Sequence, residues 1–293
     1  MQIPTLNWTP GPCPTAYLNG LDAIRQRVAD PCLGTDFHQE LSTLTSIQWP
    51  ACVEQGRRIL RTLNSEPGAV IILRLPGWED ELLRDFLFLS LALCVRPPIT
   101  HDRERVIWEI SPKSRECVVP TYSETTEEAP LHTDGTYKED PPRFIANLVV
   151  QSAAHGGETF LAEGHEVCRE FRLTLEGPRH LEFLQQSFPF RLPSAYDTPG
   201  GATTTHGIPV KWEPLCLRFR PDVLRAGLDV LKEPGDSDRR KAIAAFADFL
   251  KNYPEKLETR LEEGAMLFID NRRVLHGRRA FTGPRHLRRI WMR

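Results

Sequence analysis

The sequence predicts an α+β fold, mainly β, in which a double-stranded β-helix (jelly roll) carries flanking helices. Three observations point to it. From Arg105 onward the chain breaks into short β-rich runs separated by turns, the texture of a barrel or sandwich. A single helical segment interrupts those runs late in the chain. And two imidazoles and a carboxylate, in His132-Thr133-Asp134 and His276, are distributed over them as the ligands of one metal would be.

The elements follow in order. Residues 1 to about 35 are rich in Pro and Gly and read as an irregular arm. Trp49 to Leu63 reads as a helix with Cys52, Ile59, Leu60 and Leu63 on one side. Ala69 to Leu75 is a buried strand ended by Pro76-Gly77. A helix from about Glu79 to Cys94 stops before Pro97-Pro98. Strands are expected at 105–111, 116–121, 129–136, 143–152 and 157–162, then a short helix from Cys168 to Leu175. The stretch 177–207 is rich in Pro, Gly and Thr and is read as a long irregular, lid-like insertion, loosest at 198–205. Ile208 to Phe219 returns to strand. Asp236 or Ser237 caps a helix with the stripe Ile243, Phe246 and Leu250. Strands at 265–269, 273–278 and 286–292 close the chain. The expected organisation is one domain, 1–293, with an N-terminal α+β portion (1–103) packed on a jelly-roll core (104–293).

Composition narrows the function classes. With 293 residues, 40% hydrophobic and 26% charged, the chain can bury a large core. A net charge of -2 offers no dominant basic field, so nucleic acid is not an expected partner. The basic stretch Arg272 to Arg293 reads as site and surface arginines. Seven scattered cysteines with no CxxC spacing point to free thiols in a reducing compartment. Met1-Gln2-Ile3-Pro4 begins no signal peptide, and the apolar stretch Leu82 to Val95 holds Arg84 and Asp85. The expectation is a soluble cytoplasmic protein with no membrane association, acting on a small-molecule substrate; a homo-oligomer stays open.

The chemistry is concentrated in a few residues. If extended, His132 and Asp134 leave the same face of a strand, two residues apart. His276 sits within an apolar run, where a neutral imidazole serves as a ligand. Three protein ligands on one side of a metal leave adjacent positions open, the pattern of non-haem Fe(II) oxygenases. Gly135 allows a bend at the mouth of the site. Gly156-Gly157-Glu158-Thr159 starts a strand with a hydroxyl able to donate to an anion. Period-2 alternation places Arg285, Leu287, Arg289 and Trp291 on one face, opposite His286, Arg288, Ile290 and Met292. Two arginines on an inward face are costly unless each meets an anion. His155, His165 and His286 read as surface or supporting residues. Glu124, Glu127 and Glu128 read as a solvated loop; Tyr137 and Trp291 fit either pocket or core.

The chain resembles the taurine dioxygenase and clavaminate synthase-like branch of the Fe(II)/2-oxoglutarate-dependent oxygenases. The resemblance is carried by Leu131 to Tyr137 with Pro141-Pro142, Gly156 to Thr159, Asp270 to Arg278, and Arg285 to Arg289. It covers about 131–293. It implies Fe(II) held by His132, Asp134 and His276, with 2-oxoglutarate and O2 as co-substrates. It implies that Arg285 grips the distal carboxylate of 2-oxoglutarate, that Thr159 hydrogen-bonds the same group, and that Arg289 steadies the co-substrate or a substrate anion. The loop from His276 to Arg285 is shorter than is common in the family, which leaves Arg288 or Arg289 as alternative anchors. The implied reaction oxidises an unactivated C–H bond of a small, carboxylate-bearing, amino-acid-like metabolite by hydroxylation, desaturation or cyclisation, releasing succinate and CO2. Asp134 argues against a halogenase, whose corresponding residue is small. Two alternatives stay open: a zinc-type metallohydrolase, which would not need Arg285, and a non-catalytic 2-oxoglutarate or metal sensor.

Overall fold

A computed structural model describes residues 2–8, 11–73, 80–101, 105–112, 122–193, 203–232 and 235–293. The chain opens with strand β1 (Thr5–Asn7) and two helices, α1 (Thr15–Arg25) and α2 (His38–Gln48). The expected irregular arm is therefore corrected. Pro and Gly flank α1, while its Tyr17, Leu21 and Ile24 form a buried stripe at helical spacing. Next come α3 (Pro50–Leu63), β2 (Ala69–Leu73) and α4 (Glu81–Val95), close to the expected bounds. Asp80 caps α4 by accepting a hydrogen bond from the Leu83 amide at 2.8 Å.

The β-rich portion runs through β3 (Pro98–Ile99), β4 (Ile107–Ile110), β5 (Ala129–His132), β6 (Phe144–Gln151), β7 (His155–Gly156) and β8 (Thr159–Glu163). The strand expected at 116–121 lies outside the described residues. Helices α5 (Gly164–Arg172) and α6 (Gly177–Leu184) precede a hairpin of β9 (Phe188–Arg191) and β10 (Thr204–Gly207). The stretch 177–207 is thus largely regular, since Leu181 and Leu184 give α6 a buried side; residues 194–202 lie outside the description. The strand expected over 208–219 is only a two-residue pairing, β11 (Val210–Lys211) with β12 (Cys216–Leu217). Helix α7 (Pro221–Leu231) was not anticipated; α8 (Asp236–Lys251) was. The chain ends with β13 (Leu257–Thr259), β14 (Met266–Asp270), β15 (Val274–Arg278), β16 (Phe281–Thr282) and β17 (His286–Met292).

Two facing sheets make the jelly roll. One has seven strands, ordered β1-β2-β14-β6-β17-β3 with β4 paired to β17; the other is β13-β8-β15-β5. Alternation along the larger sheet divides the molecule. Ala69, Ile71, Ile145, Val149, Leu267, Ile269, Leu287 and Trp291 face the inter-sheet core. Val70, Ile72, Phe144, Ala146, Leu148, Met266, Phe268, Ile290 and Met292 pack instead against the N-terminal helices. The N-terminal portion thus supplies β1 and β2 at one edge, β3 beside β4 at the other, and a helical backing. Two positions on the inner face break the apolar pattern, Asn147 and Arg289. They are cross-strand partners.

Candidate metal and co-substrate site

The site is built by strand register. β15 pairs antiparallel with β5, and His276 lies directly opposite His132. Cross-strand neighbours on one face hold their side chains together, and the two imidazole centroids are 4.6 Å apart. Asp134 does not stand on the strand, as expected from the spacing, because β5 ends at His132. It sits in the following turn, where Gly135 adopts a φ of +62° and a Cβ would meet Pro142 at 2.6 Å.

That turn is clamped from two sides. The Thr133 hydroxyl donates to the Leu217 carbonyl and accepts from the Phe219 amide. The Asn271 carboxamide accepts from the Asp134 amide at 2.8 Å and donates to the Asp134 and Pro142 carbonyls. The turn thereby carries Asp134 back toward the imidazoles. Its Oδ1 lies 3.5 Å from His132 Nε2 and 3.7 Å from His276 Nε2. One ligand atom from each of the three lies within 4.8 Å of the others, and all three residues are buried.

The electrostatics suit a cation. His132 Nδ1 donates to the Pro130 carbonyl at 2.7 Å, which fixes the ring and turns Nε2 toward Asp134. Burial, then the neighbouring His132, push His276 down to about 4, so it is neutral at physiological pH. Among the described residues neither His276 ring nitrogen has a hydrogen-bond partner. An orphaned, neutral imidazole beside a carboxylate is what a metal would complete. Burial alone would raise the Asp134 carboxyl, but Arg289 and the two imidazoles hold it well below the usual range. Arg289 Nη1 reaches Asp134 Oδ2 at 2.5 Å, and Trp291 Nε1 donates to the same oxygen at 3.2 Å. Asn147 accepts from Arg289 Nε at 2.7 Å and aims it. Arg289 therefore orients a member of the triad.

Arg285 and Thr159 line the same cavity as the triad, together with Leu261, Leu267, Ile269 and Leu287. Burial, then Arg278 and Arg289, push the Arg285 guanidinium down to about 9. Among the described residues no carboxylate pairs with it; its charge lies over the Phe281 ring at 5.5 Å. Arg278 is occupied differently, donating to the Tyr122, Thr125, Glu127 and Arg279 carbonyls. Arg288 points to the opposite face, onto Glu81 and Asp85. His286 meets Glu109 at 3.1 Å, His165 meets Glu163 at 3.1 Å, and His155 is exposed. Glu127 and Glu128 are exposed, and Tyr137 is buried in the inter-sheet core.

Sequence reasoning missed four residues here: Asn147, Asn271, Tyr122 and Arg220. The last two form another wall of the cavity. Asn147 had a signal, a polar residue interrupting an apolar run, but its meaning needs the cross-strand partner Arg289.

A family model described as "Taurine catabolism dioxygenase TauD, TfdA family" matches residues 46–291. The chain belongs to the TauD/TfdA family. Members are Fe(II)- and 2-oxoglutarate-dependent oxygenases, and the donor set just described fits that cofactor set of Fe(II), 2-oxoglutarate and O2. Among curated relatives, mitochondrial trimethyllysine dioxygenase of Rattus norvegicus is 30% identical over 167 residues, 53% of this chain and 38% of the relative. The Mus musculus protein is 29% identical over the same shares. The match thus spans well under half of those relatives. Among solved structures, an asparagine oxygenase in complex with Fe(II), 3-hydroxyasparagine and succinate superposes with a TM-score of 0.70 at 16% identity, covering 100% of this chain and 94% of that one. The non-haem iron oxygenase OrfP, in complex with iron, succinate and hydroxyarginine, gives 0.70 at 15% identity, with 99% and 94% covered. These likenesses establish the TauD-like jelly roll. Among the described residues no helix is long and apolar enough to cross a membrane.

Proposed function

We propose that this TauD/TfdA-family chain is an Fe(II)- and 2-oxoglutarate-dependent oxygenase that oxidises a C–H bond of a small amino-acid-like metabolite. The observation that carries the reading is one cavity shared by the His132, Asp134 and His276 cluster and the partly buried Arg285 guanidinium, which has no carboxylate partner among the described residues. His132, Asp134 and His276 would hold the iron, and Arg285 with Thr159 would take the distal carboxylate of 2-oxoglutarate. When bound, the iron supplies O2 activation driven by decarboxylation of the 2-oxo acid, which leaves as succinate and CO2.

The protein's own contribution is positioning. His132 presents Nε2 because the Pro130 carbonyl fixes the other nitrogen. Arg289 and Trp291 hold one carboxylate oxygen of Asp134, leaving Oδ1 toward the imidazoles. A guanidinium fork matches a carboxylate with two parallel hydrogen bonds. Leu261, Leu267, Ile269 and Leu287 keep water from competing for that pair. The relatives named above act on or bind trimethyllysine, asparagine and arginine compounds, which supports an amino-acid-like substrate. Arg285, which no carboxylate among the described residues pairs with, favours an oxygenase over a zinc hydrolase, which has no use for an anion anchor there.

The test is succinate release from 2-oxoglutarate during an aerobic screen of free amino acids and their methylated derivatives, with Fe(II) or Zn(II). Substrate-stimulated succinate with Fe(II) alone is the expected result. Product formation with Zn(II) and no 2-oxoglutarate would establish a hydrolase instead.

A further inference from the structure

The cavity has a second cationic wall. Arg220 enters from the turn into α7 and lines the cavity beside His132 and Asp134. Its side chain is 15% exposed. Its Nε and Nη2 are clamped on Asp222 at 3.2 and 3.0 Å, and its guanidinium lies 4.7 Å from the Tyr122 ring centroid. Tyr122 in turn meets the His132 ring edge-on at 5.1 Å. No acceptor among the described residues takes Nη1. The recess around Arg285, lined by Val149, Thr159 and Leu287, does not include Arg220. The two arginines therefore serve different parts of one cavity, with the triad accessible to both.

We propose that Arg220 binds the substrate's carboxylate, with the Tyr122 ring as the wall against which the adjoining carbon stem packs. The proposal rests on the oxygenase reading and deepens it. Asp222 is the positioning residue. It grips one edge of the fork and so fixes the guanidinium before any ligand arrives, which lowers the ordering cost of binding. Its own side chain is 37% exposed, so water screens its charge on the outer side while the free edge of Arg220 faces the cavity. Burial opposes the charge on Arg220, but Asp222 raises its pKa, so the cation persists at any physiological pH. An anion on that edge sits one aromatic ring away from His132.

The probes are the common L-amino acids, N-trimethyl-lysine, and the corresponding amino-acid amides, which keep everything except the carboxylate. Binding is read by anaerobic calorimetry on the Fe(II) protein with 2-oxoglutarate present. At least one free acid should bind, and its amide should bind far more weakly. Arg220→Gln should weaken that acid by about a hundredfold, as expected for truncating one side of a desolvated charge pair. It should leave 2-oxoglutarate affinity within about twofold, since the co-substrate belongs to Arg285. The double variant Arg220→Gln/Asp222→Asn keeps the pair neutral and checks that the loss is not unfolding. A free acid that binds Arg220→Gln as tightly as the wild type overturns the proposal, as does a panel in which no acid outbinds its amide. Loss of 2-oxoglutarate binding in the wild type itself would instead overturn the oxygenase reading.

Discussion

Arg285 is a partly buried cation with no carboxylate beside it among the described residues; its burial first, and then the guanidiniums of Arg278 and Arg289, press its pKa down to about 9. In the ligand-free protein that charge is destabilising. Arg285→Met should therefore raise the stability of the apo form by about 1–2 kcal/mol, since a hydrophobic replacement removes an uncompensated charge. The same variant should lose 2-oxoglutarate affinity by about a hundredfold or more, and Arg285→Lys should recover only part of it. Thermal melts and anaerobic titration read the two effects separately; an Arg285→Met protein less stable than wild type would show that the charge is already compensated. Arg288→Ala should do the reverse. It breaks the contacts to Glu81 and Asp85 on the other face, at a cost of about 3 kcal/mol in stability, with unchanged 2-oxoglutarate affinity. His276 gives a pH dependence. Its native value of about 4 lies below its ordinary 6.5, so the unfolded chain binds more protons between those values. Apo stability should fall as pH drops from 6.5 to 4, and His276→Asn should flatten that slope in denaturant titrations.

At the scale of elements, the cavity depends on how α7 seats against the β9–β10 hairpin. A Cβ at Gly227 would come within 2.1 Å of the Pro189 carbonyl, so α7 can approach β9 only with glycine there. Gly227→Ala should cost about 2–3 kcal/mol by overpacking. Because Arg220 and Asp222 stand at the start of α7, it should also weaken substrate more than 2-oxoglutarate. Equal effects on both ligands would mean that α7 does not position the substrate wall. The hairpin base is tied down, with the Thr205 hydroxyl donating to the Tyr137 carbonyl at 2.7 Å and Arg218 lying over Phe190. We propose that the stretch 177–207 covers the site, an expectation that rests on its Pro/Gly/Thr-rich sequence alone; its residues 194–202 lie outside the described residues. Proteolysis there should slow when Fe(II), 2-oxoglutarate and substrate are bound; unchanged cutting would remove the lid. This region was also the least legible in the sequence. Its proline and glycine content suggested irregularity, whereas Leu181, Leu184, Phe188 and Phe190 are buried and make regular structure. Helix α1 was hidden for the same reason, with breakers on both sides of a short apolar stripe.

Across the whole molecule, the larger sheet separates two cores and brings the site residues to one of them. The alternation that does this was legible: it placed Leu287, Arg289 and Trp291 on one face and Arg288 on the other, as the register with β6 and β4 has them, while Arg285 precedes β17 and lines the same cavity. His132, Asp134 and His276 were legible because imidazole and carboxylate in apolar surroundings are costly without a purpose. What the sequence could not convey was the pairing of His132 with His276, the Asn271 clamp on the Asp134 turn, and Arg220, each of which depends on contacts between segments more than 80 residues apart in most cases. The central claim is that this one cavity holds Fe(II) through the triad and 2-oxoglutarate through Arg285 together. Its most direct measurement is an anaerobic titration that follows the weak visible charge-transfer band formed only when a 2-oxo acid chelates protein-bound Fe(II). The wild type should develop the band, His276→Ala and Asp134→Ala should not, and Arg285→Ala should need about a hundredfold more 2-oxoglutarate to reach it. A full-strength band at wild-type 2-oxoglutarate concentrations in all three variants would contradict the claim.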